Sequence, residues 1–399
     1  MDPLLNPFLP GAGAQPPELT GRQDLLERAR ITLGRTRLGR PAKSFVAIGL
    51  RGVGKTVLLH RIRILAEADS YHTCFIEAHE HARLPELLIP QIRRLILDLD
   101  RLGALNEHVK RGLRVLKSFM SVFKLSYADM EIELDISPET GSGDSGNLEA
   151  DLTELLLALG RAAAARSVAV ALLVDEMQFL AERDLAALIM ALHRCVQHAL
   201  PIVLIAAGLP QTLTLAGKSK SYAERLFEFP TVGPLCQDDA RLALRAPVEK
   251  QGASWSDDAL DLVWTDTAGY PYFLQEWGYH AWNAAEGSVI TGEDVAKAGK
   301  TAVAQLDDNF FRVRFGRLTP SERTYLRAMA ALGPGPHRTG AVADLLGSLM
   351  PVQSSFRTRL IDKGMIYSPQ HGEIAFSVPL FDRFLKRIMP DWAPKMAST

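Results

Sequence analysis

The sequence predicts an α/β protein whose core is a parallel β-sheet, followed by a helical region and a small mixed unit at the C-terminus. Continuous apolar runs at residues 44–50, 168–174 and 202–207 are typical of strands that are buried on both faces. Segments with helical periodicity separate these runs, which favours parallel strands joined by helical crossovers. From residue 238 to about 314 the strand pattern disappears and helical periodicity continues.

The bulk composition describes an ordinary globular protein. Its 399 residues are enough for two or three domains, and the net charge of −1 excludes a polycation. Cys74, Cys195 and Cys236 are far apart in the sequence and fit a reducing compartment. No apolar run reaches the ~20 residues that span a bilayer, and the N-terminus lacks a basic region followed by a hydrophobic one. We therefore expect a cytoplasmic protein without a membrane partner.

The first half of the chain alternates predicted helices and strands. Residues 1–17 are rich in proline and glycine, and we expect an extended segment that is not a packed element. The elements that follow are predicted as a helix to residue 30, strands at 44–50 and 73–78, a helix-periodic region at 84–119, an insert at 124–147, a helix at 148–165, and strands at 168–174 and 202–207. Within the insert we expect a strand or hairpin at 124–136 and a flexible linker at 137–147.

The first strand runs into the sequence GLRGVGKT at residues 49–56, which fits the phosphate-binding pattern G-x-x-x-x-G-K-[ST]. Glycines let the backbone curl so that successive N–H groups face one anion. Lys55 supplies a charge for the β- and γ-phosphates, and Thr56 offers a hydroxyl to Mg²⁺. The residues predicted to bind the nucleotide here are Gly49, Gly52, Val53, Gly54, Lys55, Thr56 and Val57. The alternative is a glycine-rich turn without a ligand.

A second apolar strand ends in Asp175-Glu176, which supplies the other half of a nucleotide-hydrolysing site. Asp175 would hold Mg²⁺ together with Thr56, and Glu176 would polarise the attacking water. The alternative is a pair of solvated carboxylates at a strand end. Gln178 would contact water or a phosphate, or it would be an amide on a helix surface.

With these two motifs the chain resembles the AAA+ ATPases, in particular the branch with the replication-initiator ATPases and the related STAND signalling ATPases. GLRGVGKT and LLVDE are similar to the Walker A and Walker B motifs of this family. Gly21 and Arg22 are similar to the box that wraps the adenine in this family and precedes the P-loop, the name given to the phosphate-binding turn at residues 49–56. Gly269-Tyr270-Pro271 resembles the element where the lid meets the nucleotide. Arg225 lies where such families carry an arginine that reaches a phosphate, usually of a neighbouring subunit; the alternative is a surface charge.

The resemblance implies ATP or ADP and Mg²⁺ as cofactors, with Lys55, Glu176 and Arg225 as the catalytic residues. One departure from the family pattern concerns the strand after Asp175. In many AAA+ enzymes this strand ends in a polar residue that senses the γ-phosphate, whereas Ile205–Leu209 offers no such side chain. We therefore expect slow hydrolysis, in which the nucleotide acts more as a conformational switch than as fuel.

The C-terminal unit combines a helical pattern with a hairpin and a basic charge balance. Three predicted helices and a two-stranded hairpin follow one another from Thr319 to Val378, which is the order of a winged helix and resembles the one in initiator-type ATPases. Residues 310–390 carry twelve Lys and Arg and five acids, a formal net charge of +7. In helix-turn-helix folds the third helix enters the major groove of DNA. Protein contact and internal packing are the alternatives.

The predicted organisation is an extended segment at 1–17, an AAA+ core at 18–235 with the insert at 124–147, a helical lid at 236–315, a winged helix at 316–390 and a tail at 391–399. Three functional hypotheses stay open at this point. The first is an ATPase that engages double-stranded DNA and assembles with copies of itself. The second is a STAND-like regulator whose winged helix acts in autoinhibition or binds another protein. The third is an ATP-binding scaffold without turnover.

Overall fold

The computed structural model describes residues 1–11, 16, 18–100, 107–123, 137–220, 223–347 and 350–394. The chain forms two compact units. The sheet unit comprises residues 23–48 and 55–231, and the helical unit comprises residues 1–22, 49–54 and 232–399. The strand or hairpin predicted at 124–136 lies outside the described residues.

The sheet unit contains a five-stranded parallel sheet, which confirms the predicted fold class. Its strands in chain order are β1 Ser44–Ile48, β2 Tyr71–Glu77, β3 Ala169–Asp175, β4 Ile202–Gly208 and β5 Phe227–Glu228. They are arranged in the order β2-β3-β4-β1-β5, so that β4 lies between the two strands that precede the motif residues. Every residue of β1, β3 and β4 is buried, as the continuous apolar runs predicted.

Helices cover this sheet. In chain order they are α1 Gln23–Arg37, α2 Lys55–Ala68, α3 Leu84–Asp100, α4 Glu107–Val122, α5 Leu148–Ala165, α6 Glu182–Gln197, α7 Gln211–Ser219 and α8 Ala223–Leu226. The apolar faces of α3 to α8 build one core with the strands. Asn147 caps α5 because its side chain accepts hydrogen bonds from the N–H groups of Glu149 and Ala150.

The predicted flexible linker at 137–147 is wrong, because this segment is held against α4 and α5. Glu139 forms ion pairs with Arg111 and Arg114 on α4. The Asp151 carboxylate, 2% exposed, accepts hydrogen bonds from the N–H and hydroxyl of Ser145. The Gly- and Ser-rich composition suggested flexibility, but a buried carboxylate requires donors, and this loop provides them.

The helical unit contains most of the remaining helices and two small sheets. Its helices are α9 Gln237–Glu249, α10 Asp257–Thr267, α11 Pro271–Ala284, α12 Gly292–Gln305, a π-helical turn Leu306–Phe311, α13 Arg312–Gly316, α14 Pro320–Leu332, α15 Thr339–Leu346, α16 Met350–Asp362 and α17 Phe381–Ile388. Two short strands, β6 Ser254–Trp255 and β7 Val289–Ile290, pair in parallel. We call residues 320–388 the C-terminal segment.

The C-terminal segment has one strand more than the sequence predicted. Its strands are β8 His337–Arg338, β9 Ile366–Tyr367 and β10 Glu373–Phe376. They form an antiparallel sheet in the order β8-β10-β9. A capping box starts α14, since the Thr319 hydroxyl accepts from the N–H of Glu322 and the Glu322 carboxylate accepts from the N–H of Thr319.

The prediction that residues 1–17 are unpacked is wrong for the residues that the structure describes. Phe8 is 1% exposed and belongs to the core of the helical unit. The Asn6 amide donates to the Tyr279 carbonyl, and the Trp282 indole N–H donates to the Asp2 carbonyl. The buried ring of Phe8 and these hydrogen bonds fix the segment, and composition does not reveal such contacts.

Candidate functional site

The glycine-rich turn between β1 and α2 has the backbone conformation that its sequence predicts. Gly52 and Gly54 have φ of 77° and 88°, a region that favours glycine. Gly49 is required for a different reason, because a Cβ there would lie 2.2 Å from the Val232 carbonyl oxygen. The turn ends at Lys55, the first residue of α2. The first N–H groups of a helix have no acceptor within the helix and are suited to bind an anion.

Thr56 and Asp175 meet in the sheet unit, as predicted for a magnesium site. The Thr56 hydroxyl donates to Asp175 Oδ2 at 2.6 Å, and the Glu176 N–H donates to Asp175 Oδ1 at 2.8 Å. Asp175 is 2% exposed. Burial, helped by the charge of Glu176, raises the pKa of Asp175 above its ordinary value, although the hydrogen bond from Thr56 opposes this shift. A cation beside this carboxylate would remove the desolvation penalty.

The donor set fits Mg²⁺ in the way that nucleotide sites usually hold it. A carboxylate and a hydroxyl are hard oxygen ligands, and Mg²⁺ binds one or two such protein groups and takes its other ligands from phosphates and water. Within the described part of the chain, no cluster of three His, Cys, Asp or Glu side chains could hold a metal ion without such help. Mg²⁺ would neutralise phosphate charge here, while Thr56 and Asp175 would position it.

Glu176 has an unusual backbone conformation, and its side chain has a specific partner. Its φ of 52° is uncommon for a residue other than glycine. Gln178 Nε2 donates to Glu176 Oε2, and Gln178 Oε1 accepts from the Leu209 N–H at 2.9 Å. Gln178 therefore connects the candidate base at the end of β3 to the end of β4.

One polar residue near the end of β4 escaped the sequence analysis. Thr212, in the first turn of α7, is fully buried, and its Oγ1 has no hydrogen-bond partner among the described residues. A Cβ at Gly208 would lie 2.3 Å from Thr212 Oγ1 and 3.2 Å from Gln178 Oε1, which shows how closely these groups cluster. The strand itself offers no polar side chain, but the following helix does. A search one turn beyond the strand would have found Thr212.

Arg225 does not join these residues within one chain. It is exposed on α8, immediately before β5. Since β5 pairs in parallel with β1 through Phe227 and Ser44, Arg225 lies near the amino end of these strands. Lys55 follows the carboxyl end of β1, so the two residues lie at opposite ends of these strands. A contact of Arg225 with a phosphate held by a neighbouring copy stays a prediction.

In the helical unit, Arg22 supports the glycine-rich turn. Its side chain is buried, and Nη2 donates to the carbonyls of Val53, at 3.1 Å, and Gly233, at 2.5 Å. Burial lowers the pKa of Arg22, while Asp239 opposes this shift. Gly21 has φ of 66°, and a Cβ there would lie 2.7 Å from Asp239 Oδ2. Arg22 therefore holds the backbone of the turn at Val53.

The predicted lid element also reaches this turn. Gly269 has φ of 72°, and its carbonyl accepts a hydrogen bond from the Leu235 N–H at 2.9 Å. Pro271 occupies the first turn of α11, where its missing N–H is not needed. The next residue, Tyr272, donates its N–H to the Gly52 carbonyl at 3.1 Å. Gly269 and Pro271 thus lead into α11, and the N–H of Tyr272 in its first turn is bound to the glycine-rich turn.

The C-terminal segment makes a contact with the same turn that the sequence did not predict. The Arg51 N–H donates to the carbonyl of Ser377, directly after β10, at 3.1 Å. Ser377 is fully buried, and its N–H donates to the Met365 carbonyl at 3.0 Å. The backbone of the glycine-rich turn is therefore joined to the strand pair of the C-terminal segment.

Comparisons with known proteins find an ATPase-domain match and proteins of similar fold. Residues 18–205 match the family described as AAA ATPase domain, and residues 308–385 match a domain of unknown function, DUF8462. No curated protein sequence matches the chain. A Walker-type ATPase of Pyrococcus abyssi is similar in structure, with a TM-score of 0.59, 16% identity and coverage of 92% of this chain and 96% of the other. At this identity the likeness is one of fold.

Two further structures show weaker likeness. Cdc6p from Pyrobaculum aerophilum has a TM-score of 0.48 and 16% identity, and covers 98% of both chains. The RuvB Holliday junction branch migration motor of Thermotoga maritima has a TM-score of 0.44 and 14% identity, with coverage of 91% of this chain and 96% of the other. The match of residues 18–205 to the AAA ATPase domain supports ATP hydrolysis by this chain. No described helix is both long and apolar enough to cross a membrane.

Proposed function

We propose that this ATPase is a switch in which the nucleotide at the P-loop decides whether the C-terminal segment stays docked within the helical unit or engages a partner. The observation that carries this proposal is the hydrogen bond from the Arg51 N–H to the Ser377 carbonyl. A nucleotide that reorders the P-loop backbone changes the position of this donor. The C-terminal segment therefore responds to the nucleotide through a direct contact.

Basic residues of the C-terminal segment form ion pairs inside the segment, and Arg387 also pairs with Asp307 outside it, which supports the docked state. Lys363 Nζ lies 2.8 Å from Glu322 Oε2, and Arg359 Nε lies 3.6 Å from Glu322 Oε1. Burial opposes the ionisation of Glu322, but its hydrogen bonds with Lys363 and the Thr319 N–H lower its pKa below the ordinary value. Arg387 forms a bidentate pair with Asp307. These three basic side chains, which the composition suggested for DNA binding, therefore form ion pairs within the helical unit.

A STAND-like regulator with a winged helix in the C-terminal segment fits these contacts best. The order of α14, β8, α15, α16, β9 and β10 supports a winged-helix interpretation of this segment. Glu322 joins α16 to α14 within the segment, and in the docked state Arg387 joins α17 to the π-helical turn through Asp307. Release on ATP binding would then present a surface to a partner, and hydrolysis would restore docking.

Amide hydrogen exchange tests this proposal without identifying the partner. We expect ATP bound to the Glu176→Gln variant, which retains ATP, to increase exchange across residues 365–378 relative to the ADP-bound chain. Lys55→Ala, which removes the phosphate contact, is the matched control and should show no ATP-dependent change. Equal exchange in the ATP and ADP states would refute the switch.

Engagement of double-stranded DNA is a second candidate, favoured by the formal net charge of +7 at residues 310–390 and by the half-exposed Arg359 on α16. Binding should weaken strongly with salt, because released counterions drive it. Mobility shifts of the ATP-bound Glu176→Gln chain at two salt concentrations test this. Arg359→Ala should weaken binding, whereas Lys386→Ala on α17 is the control. The absence of a shift at low salt would exclude this candidate.

Self-association upon ATP binding is a third part of the proposal, supported by the position of Arg225. This side chain is exposed at the sheet edge opposite Lys55, where a neighbouring copy would meet it. Sedimentation with ATP tests for assembly. Arg225→Ala should then lower the ATPase rate only under conditions where the wild-type chain assembles. A wild-type chain that stays monomeric in every nucleotide state would exclude this role.

A further inference from the structure

A cavity of about 590 Å³ lies inside the helical unit, away from the P-loop turn. α10, α11, α12 and the π-helical turn form most of its wall, and the start of α17 closes one side. Its volume falls in the range of about 300–1,000 Å³ in which small-molecule sites are found. All of its lining residues lie between 262 and 387, so the sheet unit contributes nothing to it.

The lining of this cavity combines an apolar interior with positive charge. Trp277, Leu306 and Phe311 belong to the apolar part of the wall. Lys300 and Arg383 are exposed residues that also line it. The carboxylate of Asp266, the one acidic residue in the lining, accepts a hydrogen bond from the Trp277 indole N–H at 3.2 Å. The cavity is therefore complementary to an apolar molecule that carries a negative group.

Two irregular pieces of backbone meet at this cavity. Leu306 and Phe311 are the two ends of the π-helical turn, a conformation that is rare and frequent at functional sites. Leu380, another lining residue, has φ of 59°, which is unfavourable for a bulky side chain. Irregular backbone therefore forms part of the cavity wall at Leu306, Phe311 and Leu380.

The wall of the cavity is continuous with the P-loop through aromatic contacts. Phe311 and Phe310 have ring centroids 5.1 Å apart, and Phe310 stacks on Tyr272 at 4.9 Å. Tyr272 in turn donates its N–H to the Gly52 carbonyl. A ligand that moves Phe311 would therefore act on the residue that holds the P-loop backbone.

We propose that this cavity binds a small amphipathic anion, an apolar body bearing one carboxylate, as an effector that changes the affinity of the P-loop for ATP. Lys300 and Arg383 would bind the carboxylate, and the apolar body would lie against Trp277 and Phe311. Coupling between two such sites is reciprocal, so ATP changes the affinity for the anion by the same factor. Binding of the anion does not depend on the switch proposed above and is measured separately.

Calorimetry with the full chain tests the site, with decanoate as the probe. We expect saturable binding of one decanoate per chain, and binding at least tenfold weaker for acetate, which lacks the apolar body, and for decanamide, which lacks the charge. Lys300→Gln should weaken decanoate binding about tenfold and leave decanamide unchanged. Lys297→Gln is the matched control on the same helix, because Lys297 pairs with Glu293 and does not line the cavity.

A second variant tests the cavity without removing a charge. A Cβ at Gly299 would have only ordinary contacts, with its nearest neighbour at 3.5 Å, and the residue lines the cavity within α12. Gly299→Leu should therefore fold, as thermal unfolding will show, while abolishing decanoate binding. Decanoate binding that is unsaturable, or unaffected by both Lys300→Gln and Gly299→Leu, would overturn the site.

The effector role has its own readout. We expect saturating decanoate to change the dissociation constant of a non-hydrolysable ATP analogue at least fivefold. Phe310→Leu, which alters the contact with Tyr272 but not the cavity lining, should retain decanoate binding and reduce this coupling. Decanoate binding with an unchanged nucleotide affinity would overturn the effector role.

Discussion

Removing the side chain of Gln178 should raise the basal ATPase rate. Its amide donates to the Glu176 carboxylate and accepts from the Leu209 N–H, so it holds the candidate base toward the end of β4. A base must accept a proton from the attacking water, and a hydrogen bond that the carboxylate already accepts lowers its basicity and restricts its position. Gln178→Ala removes both effects and leaves the backbone of the turn in place.

The structure sets the expected size of this effect. A hydrogen bond to a charged group contributes about 1.5–3 kcal/mol, and we take the lower end because both side chains are only partly buried. About 1.4 kcal/mol corresponds to a tenfold change in rate, so we expect kcat to rise about tenfold. The KM for ATP should change less than twofold, since the Gln178 amide bonds to Glu176 and to the Leu209 N–H and not to the glycine-rich turn.

Steady-state phosphate release measures this prediction. Gln197→Ala, an exposed glutamine on α6, is the control and should leave kcat unchanged. Glu176→Gln should abolish turnover in both the wild-type and Gln178→Ala backgrounds, which would show that the gain operates through Glu176. A folded Gln178→Ala variant with unchanged or lower kcat would refute the argument that this contact restrains the base.

Three further predictions concern stability, each measured by chemical or thermal unfolding. Phe8→Ala should lower the free energy of unfolding of the helical unit by about 3 kcal/mol, as for other buried aromatic rings, and a loss below about 1 kcal/mol would show that the segment does not pack. Gly269→Ala should cost at least about 2 kcal/mol, because its Cβ would meet the Leu235 carbonyl at 2.3 Å with φ of 72°; Gly217→Ala, in open space on α7, should be neutral or stabilising. Without Mg²⁺ and nucleotide, the raised pKa of Asp175 means that the folded chain binds a proton more tightly than the unfolded chain, so the stability from this group is present at acid pH and lost as the pH rises through the raised pKa. Asp175→Asn should therefore gain stability relative to wild type as the pH rises above about 4, the usual pKa of an aspartate, and a constant difference in the free energy of unfolding would contradict the shift.

The sequence by itself determined the elements whose chemistry is local. A strand buried on both faces has to be apolar throughout, so β1, β3 and β4 could be predicted from their composition. The glycines of the P-loop are likewise local, since a positive φ at Gly52 and Gly54 restricts the residue type. The pairing of Thr56 with Asp175 followed from these predictions, because parallel strands present their carboxyl ends at one edge.

Only the tertiary structure decided which distant groups complete the site and hold it. The contacts of Gln178, Thr212 and Ser377 could not be predicted from the sequence, because an amide, a hydroxyl and a backbone carbonyl are common in every protein. Their roles arise when the fold brings the ends of β3 and β4 together and places β10 beside the P-loop turn. The same holds for Phe8, whose burial depends on the space above Gly278 rather than on its neighbours in the chain. Local rules predict backbone shape, whereas contacts between residues far apart in sequence depend on packing, which is a property of the whole fold.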